Sequence, residues 1–232
     1  TNQSIFIRLK FSLIFYNNAF HILTMIHFKL KQWFYNWKFE ISKYKYNILL
    51  SIIFLVFANL INYNASNYVD NIETVPVKDI LLDNIPTINL EYIFSYGMIV
   101  FLSILLFYVL FFRTNRFHTV AFSFSILIFV RSIFITLTHL GKPVDAAITN
   151  NLPVMYKSLH FHNDLFFSGH AALPFMAFLI FRKEKIGIFF LFTTVILSLT
   201  VLLMHMHYSI DVFAAFFITY ALYKFSQWFS DK

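Results

Sequence analysis

The sequence predicts an all-α polytopic membrane bundle of six transmembrane helices, and three observations carry that prediction. The chain is 59% hydrophobic and only 12% charged, where soluble domains carry about a quarter charged residues. Its apolar residues gather in runs of roughly 17 to 24, the length that crosses a hydrocarbon core of about 30 Å. Its Lys and Arg are sorted to one side of those runs, as topology requires. The mean hydropathy of +0.68 agrees. The net charge of +7 does not point to nucleic acid, because the cations flank apolar runs. There is no cysteine, which excludes disulfides and thiolate metal sites.

Residues 1–45 come first. Arg8, Lys10, Asn17, Asn18, His21 and His27 interrupt the apolar stretch from Ile5 to Phe28, so a spanning helix there would bury charge. The segment reads instead as an interfacial helix with Lys29, Lys31, Lys38, Lys43 and Lys45 toward anionic headgroups. The sequence begins at Thr1, as a fragment of a longer chain would. Residues 46–232 form the six-span domain, with the first span at about 46–63. The polar, acidic segment 64–89 follows, then spans at about 90–112 and 117–140. A loop with Gly141, Pro143 and Pro153 leads to a short fourth span at about 165–181. The fifth and sixth run at about 186–204 and 210–228. Asn64-Ala65-Ser66 has the form of a glycosylation acceptor, but it lies so close to a span that it reads as chance.

Of the 18 Lys and Arg, fourteen fall on the side of the two termini and the turns at 113–116 and 182–185. Only Lys78, Lys142 and Lys157 fall opposite, and Arg131 lies within the third span. The termini are therefore expected in the cytoplasm, with the opposite face exoplasmic, periplasmic or lumenal. That opposite face collects His139, His160, His162, His170, His205 and His207, together with Asp164 and Asp211. Ionisable groups at membrane depth are costly and usually carry function.

Two polar islands hold most of these groups, H-F-H-N-D-L-F-F-S-G-H at 160–170 and H-M-H-Y-S-I-D-V-F-A-A at 205–215. In the second, His207 and Asp211 are one helical turn apart if the sixth helix begins near His207. A carboxylate so placed holds an imidazole in one tautomer and leaves its other nitrogen to act as nucleophile or base. In the first island, Ser168-Gly169-His170 opens the fourth helix. Its backbone N–H groups and dipole suit a phosphate, and glycine permits close approach. Arg131 needs a carboxylate or a bound anion as partner. Other readings of the same residues exist: Asp211 as a helix cap, Ser168 as an N-cap, Arg131 paired with Asp164, and His205 facing away from His207.

The islands resemble the third and fourth motifs of the sphingomyelin synthase-like branch of the type 2 phosphatidic acid phosphatase (PAP2) superfamily. H-N-D-L-F-F-S-G-H-A at 162–171 is similar to C-G-D-x-x-x-S-G-H-T, and H-Y-S-I-D-V-F-A-A at 207–215 to H-Y-T-x-D-V-x-x-A. R-S-I-F-I-T-L-T-H-L-G-K-P at 131–143 and P-V-K-D-I-L-L-D at 76–83 resemble the second and first motifs. The resemblance implies a metal-independent phospholipid headgroup transferase on the exoplasmic face, with phospholipid and lipid-alcohol substrates and no cofactor. It implies His207 as nucleophile or base, Asp211 as its orienter and His170 as acid. Arg131, Asp164, Ser168 and Gly169 would hold the phosphate. The chain departs from the family in His162-Asn163 for Cys-Gly, in a single motif arginine, and in Val201 where soluble-type PAP2 enzymes carry an arginine. A lipid phosphate phosphatase or phospholipase C-like hydrolase on the same site is one alternative. A metalloenzyme built on the histidine cluster is a second, and a non-catalytic lipid-binding protein a third.

Overall fold

The computed structural model describes residues 2–149 and 165–230, and side chains within 24–149 and 165–229. Among these residues are six α-helices: α1 (Asn2–Asp70), α2 (Glu91–Phe112), α3 (Phe117–Leu137), α4 (Gly169–Phe181), α5 (Lys185–Leu203) and α6 (Ser209–Ser230). The chain divides into two compact units, residues 1–45 and 46–232.

Four helices are long and apolar enough to cross a membrane: α1 over its described part from Thr24, α2, α3 with the turn before it, and α5. The chain is therefore a membrane protein. The other two expected spans differ from those four. α4 has 13 residues, or about 20 Å of helix. α6 has 22 residues, but Thr219, Tyr220, Lys224 and Gln227 dilute its apolar character.

The first span runs seven residues past its expected end at Tyr63, to Asp70. Asparagine normally competes with helical hydrogen bonding. Here Asn59, Asn64 and Asn71 each turn a side-chain N–H back to the carbonyl four residues earlier, at 2.7 Å, which lets the polar stretch stay helical.

α4 is the hub, packed against α5, α6, α3 and α2, while α3 lies on α6 and α2 on α5. Phe101, Phe167, Met176, Phe181, Phe190 and Val201 fill the centre. Small polar residues are buried with them, including Ser95, Ser125, Ser132, Thr194 and Thr200, while Phe107, Phe112, Phe192 and Phe217 face outward. Lipid tails are as apolar as leucine, so small residues that let helices approach, not hydrophobicity, fill such interfaces. Ser123 Oγ donates to Ser226 Oγ at 3.0 Å between α3 and α6.

At the expected cytoplasmic end, Glu184 joins two turns. Its carboxylate accepts from Tyr108 OH at 2.5 Å, Arg113 Nε at 2.8 Å and Arg116 Nη1 at 3.2 Å. Burial pushes its pKa up, but these donors and charges outweigh it and hold the carboxyl below its ordinary value. At the opposite end, residues 71–90 form an irregular strap. It makes a parallel bridge between Val75 and Leu140 and a 3-10 turn at Leu82–Asn84.

Candidate active site

α6 begins at Ser209, two residues later than the helical-face argument assumed, so His207 stands in the turn before the helix. The pairing survives by another route. Asp211 is the third residue of α6, and its Oδ2 reaches back to accept the Tyr208 N–H at 3.0 Å. This is the carboxylate half of a capping box. The same oxygen lies 3.1 Å from His207 Nδ1. Asp211 is thus both cap and partner. It is fully buried, and His207 is 6% exposed. With Oδ2 as acceptor, Nδ1 carries the hydrogen and Nε2 presents the lone pair.

The first island is tied to the second by backbone. Ser168 N donates to the Asp211 carbonyl at 3.4 Å. Ser168 is fully buried, and its Oγ, like Asp211 Oδ1, has no hydrogen-bond partner among the described residues. A buried hydroxyl left unpaired at a helix start fits an oxyanion ligand. Phe166 is held at φ 87° just before it, an outlier of the kind that clusters at sites.

His170, in the first turn of α4, stacks on Phe94 of α2 with ring centroids 4.1 Å apart. Glu91, one turn earlier on α2, is 5% exposed. Nothing in the sequence singled it out.

Arg131 donates from Nε to the Phe167 carbonyl at 3.0 Å and from Nη1 to Asn62 Oδ1 at 2.8 Å. A Cβ on Gly169 would lie 3.7 Å from Arg131 Nε, in ordinary van der Waals contact, which places the guanidinium beside the start of α4. Arg131, Asn62 and Gly169 wall a cavity of about 150 Å³. Asn62 was missed by the sequence reading, although an asparagine within a span is itself a signal. Asp164, His160 and His162 lie outside the described residues. Direct bonds join Ser168, Asp211 and His207, and Arg131 bonds the Phe167 carbonyl next to Ser168, with Gly169 and His170 following in sequence.

His205 does not simply face away on a helix. It sits in the turn with φ 51° and is 5% exposed. Its Nδ1 meets Thr87 Oγ1 at 3.1 Å. That hydroxyl donates to the Asp145 carbonyl, so it accepts from the ring. His139 is exposed and caps the end of α3 through Thr136 O at 3.0 Å. Among the described residues, no three His, Asp or Glu side chains gather closely enough to hold a metal.

The strap braces this turn. Tyr208 OH donates to Gly141 O at 2.8 Å and accepts from Val77 N at 3.0 Å. Asp79 Oδ2 accepts the Ser209 N–H at 2.6 Å, while Oδ1 takes Leu81 N and Leu82 N. Burial raises the Asp79 pKa, but these bonds prevail and hold it below the ordinary carboxylate value. Burial pushes the Tyr208 hydroxyl up, and the amine of Lys142, next to Gly141, down.

Residues 163–228 match the family model described as PAP2 superfamily C-terminal. The match supports membership of the PAP2 superfamily, whose phosphatases and phosphotransferases act on lipids. It takes in Ser168, Gly169, His170, His207 and Asp211. Arg131 lies before the matched PAP2 region and reaches it through the Phe167 carbonyl. Among curated proteins, nothing matches the chain.

Proposed function

We propose that the protein is a phospholipid headgroup transferase of the sphingomyelin synthase-like type, working on the non-cytoplasmic face. The observation that carries this reading is the buried His207–Asp211 pair beside the buried, unpaired Ser168 hydroxyl at the start of α4. Asp211 holds His207 with Nε2 as the reactive nitrogen. Nε2 attacks phosphorus, the bond to the leaving oxygen breaks, and His170 gives that oxygen its proton. An acceptor alcohol, ceramide-like or a diacylglycerol, then loses its proton to His170 and attacks the phosphohistidine, which releases His207. The Ser168 hydroxyl, the α4 N-terminus and the Arg131 guanidinium balance the phosphate charge. Asp164 belongs to the same site by its motif position, as an active-site carboxylate. Residues 1–45, with their lysines and aromatic rings, act as the interfacial helix on the cytoplasmic side.

The test is lipid mass spectrometry on purified protein in vesicles of phosphatidylcholine, phosphatidic acid, diacylglycerol and ceramide, with and without EDTA. His207→Ala is expected to abolish headgroup transfer, a loss on the order of 10⁴-fold or more for a covalent nucleophile. Free phosphate or phosphobase as the His207-dependent product would make the protein a hydrolase on the same site. Full activity of His207→Ala, or activity lost in EDTA and restored by metal, would overturn the histidine mechanism.

A further inference from the structure

The 150 Å³ cavity at Arg131 adjoins a second, larger one. Asn59, Ile128 and Leu173 wall both. The second cavity is about 350 Å³ and lies among α1, α2 and α3, with Leu55, Leu105, Val120, Ala121 and Phe124 on its walls. It follows α3 from Ile128 down to Phe117, about 17 Å of helix. The empty space there, about 900 Å³ with open solvent counted, is below the roughly 1,300 Å³ that a helix about 10 Å across fills over that length, and the slot is long and apolar. Its outer wall is incomplete, since Leu102 and Leu106 are 42% and 54% exposed.

One residue breaks the apolar lining. Asn59 stands one turn before Asn62 on the same face of α1, at the junction of the two cavities. Its amide donates to the Leu55 carbonyl. A polar side chain at that depth is costly without a purpose. The order along α1 and α3 is thus guanidinium, amide, hydrocarbon.

We propose that the slot holds one acyl chain of the lipid whose phosphate lies at Arg131 and Gly169, with Asn59 meeting the ester or amide that joins chain to headgroup. This rests on the lipid-phosphate reading above and adds to it the register of the substrate. An apolar cavity of about 150 Å³ accepts benzene, so by that scale this one takes on the order of a dozen carbons. The chain enters sideways from the bilayer past Leu102 and Leu106.

Binding and turnover are read separately. The full chain in phosphatidylcholine vesicles is irradiated with a phosphatidic acid that carries a diazirine near one chain end, and adducts are mapped by peptide mass spectrometry. Adducts are expected on Leu102, Leu106, Ala121 or Phe124. They should fall several-fold with excess unlabelled phosphatidic acid and in Ala121→Trp, and persist in His207→Ala. Labelling equal to that of Phe192, which is 64% exposed on α5, and insensitive to competitor would mean bulk lipid contact and overturn the proposal. In turnover, Ala121→Trp should slow a long-chain substrate by roughly tenfold or more and spare a water-soluble dibutyryl analogue. If Ala121→Trp slows both, Leu106→Trp at the slot mouth decides: equal loss on both substrates refutes the slot, and selective loss supports it. Competable labelling of a wild-type protein that turns over neither lipid would keep the chain site and sink the catalytic reading instead.

Discussion

Replacing Tyr208 by Phe removes a single oxygen, and the structure sets what that costs. The hydroxyl is the acceptor for Val77 N–H and the donor to Gly141 C=O, and the side chain is 1% exposed. An orphaned buried polar group costs about 1–3 kcal/mol. Gly141 is buried and meets the full penalty, while Val77 is 50% exposed and recovers part of it from water. The sum is about 2 kcal/mol, which for a chain of this size lowers the melting temperature by roughly 4–8 °C. Circular dichroism melts in detergent at matched scan rates would measure it. Asp79 ties the same strap to the next residue, Ser209. Asp79→Ala and Tyr208→Phe should therefore be less than additive, with a coupling of about 0.5–3 kcal/mol. A shift under about 1 °C, or simple additivity of the pair, would refute the bracing role assigned to the strap.

Further outcomes follow from neighbouring features. A Cβ on Gly141 would lie 2.6 Å from both Pro76 N and Val75 C. Gly141→Ala should push the strap away, at a cost of about 1–3 kcal/mol, and limited proteolysis should then cut within 71–90. Asp79 and Glu184 both have lowered pKa values in the fold, so their stabilisation is fully present above the ordinary values of 3.8 and 4.5 and is lost as pH falls through the folded ones. Melts from about pH 6 downward should show this acid loss. Asp79→Asn and Glu184→Gln should each flatten part of it, and unchanged curves would contradict the bonding described. Because Arg113 and Arg116 are 43% and 48% exposed, Glu184→Gln should cost only about 1 kcal/mol at neutral pH.

How much of this was legible depended on sequence distance. His207 and Asp211 could be paired from their spacing alone, although the geometry that joins them is a helix cap and not a helical face. Ser168 and Gly169 at the start of a helix were equally readable, because glycine, an N-cap type and an apolar run lie together. The partners of Arg131 were not. Asn62 is 69 residues away, and a backbone carbonyl leaves no trace in side-chain pattern. Asp79 and Tyr208 stood within the motif-like stretches, but their bonds were hidden for the same reason, since these form when a strap from 71–90 closes against a turn more than a hundred residues later. The left-handed backbone at Phe166 could not be foreseen either, because phenylalanine does not favour it; at His205 histidine's enrichment in that region is too weak a signal to place it.

α4 is about 20 Å long, and a hydrocarbon core is about 30 Å thick. With Arg182, Lys183 and Lys185 at one interface, as the charge pattern expects, a helix of that length would leave Ser168 below the opposite headgroup plane. A lipid phosphate can reach it only by sinking out of its own leaflet's surface, or where the bilayer pinches to meet it. Under the proposed function, membrane thickness becomes a throttle: short-tailed bilayers should quicken turnover and thick, sterol-stiffened ones slow it.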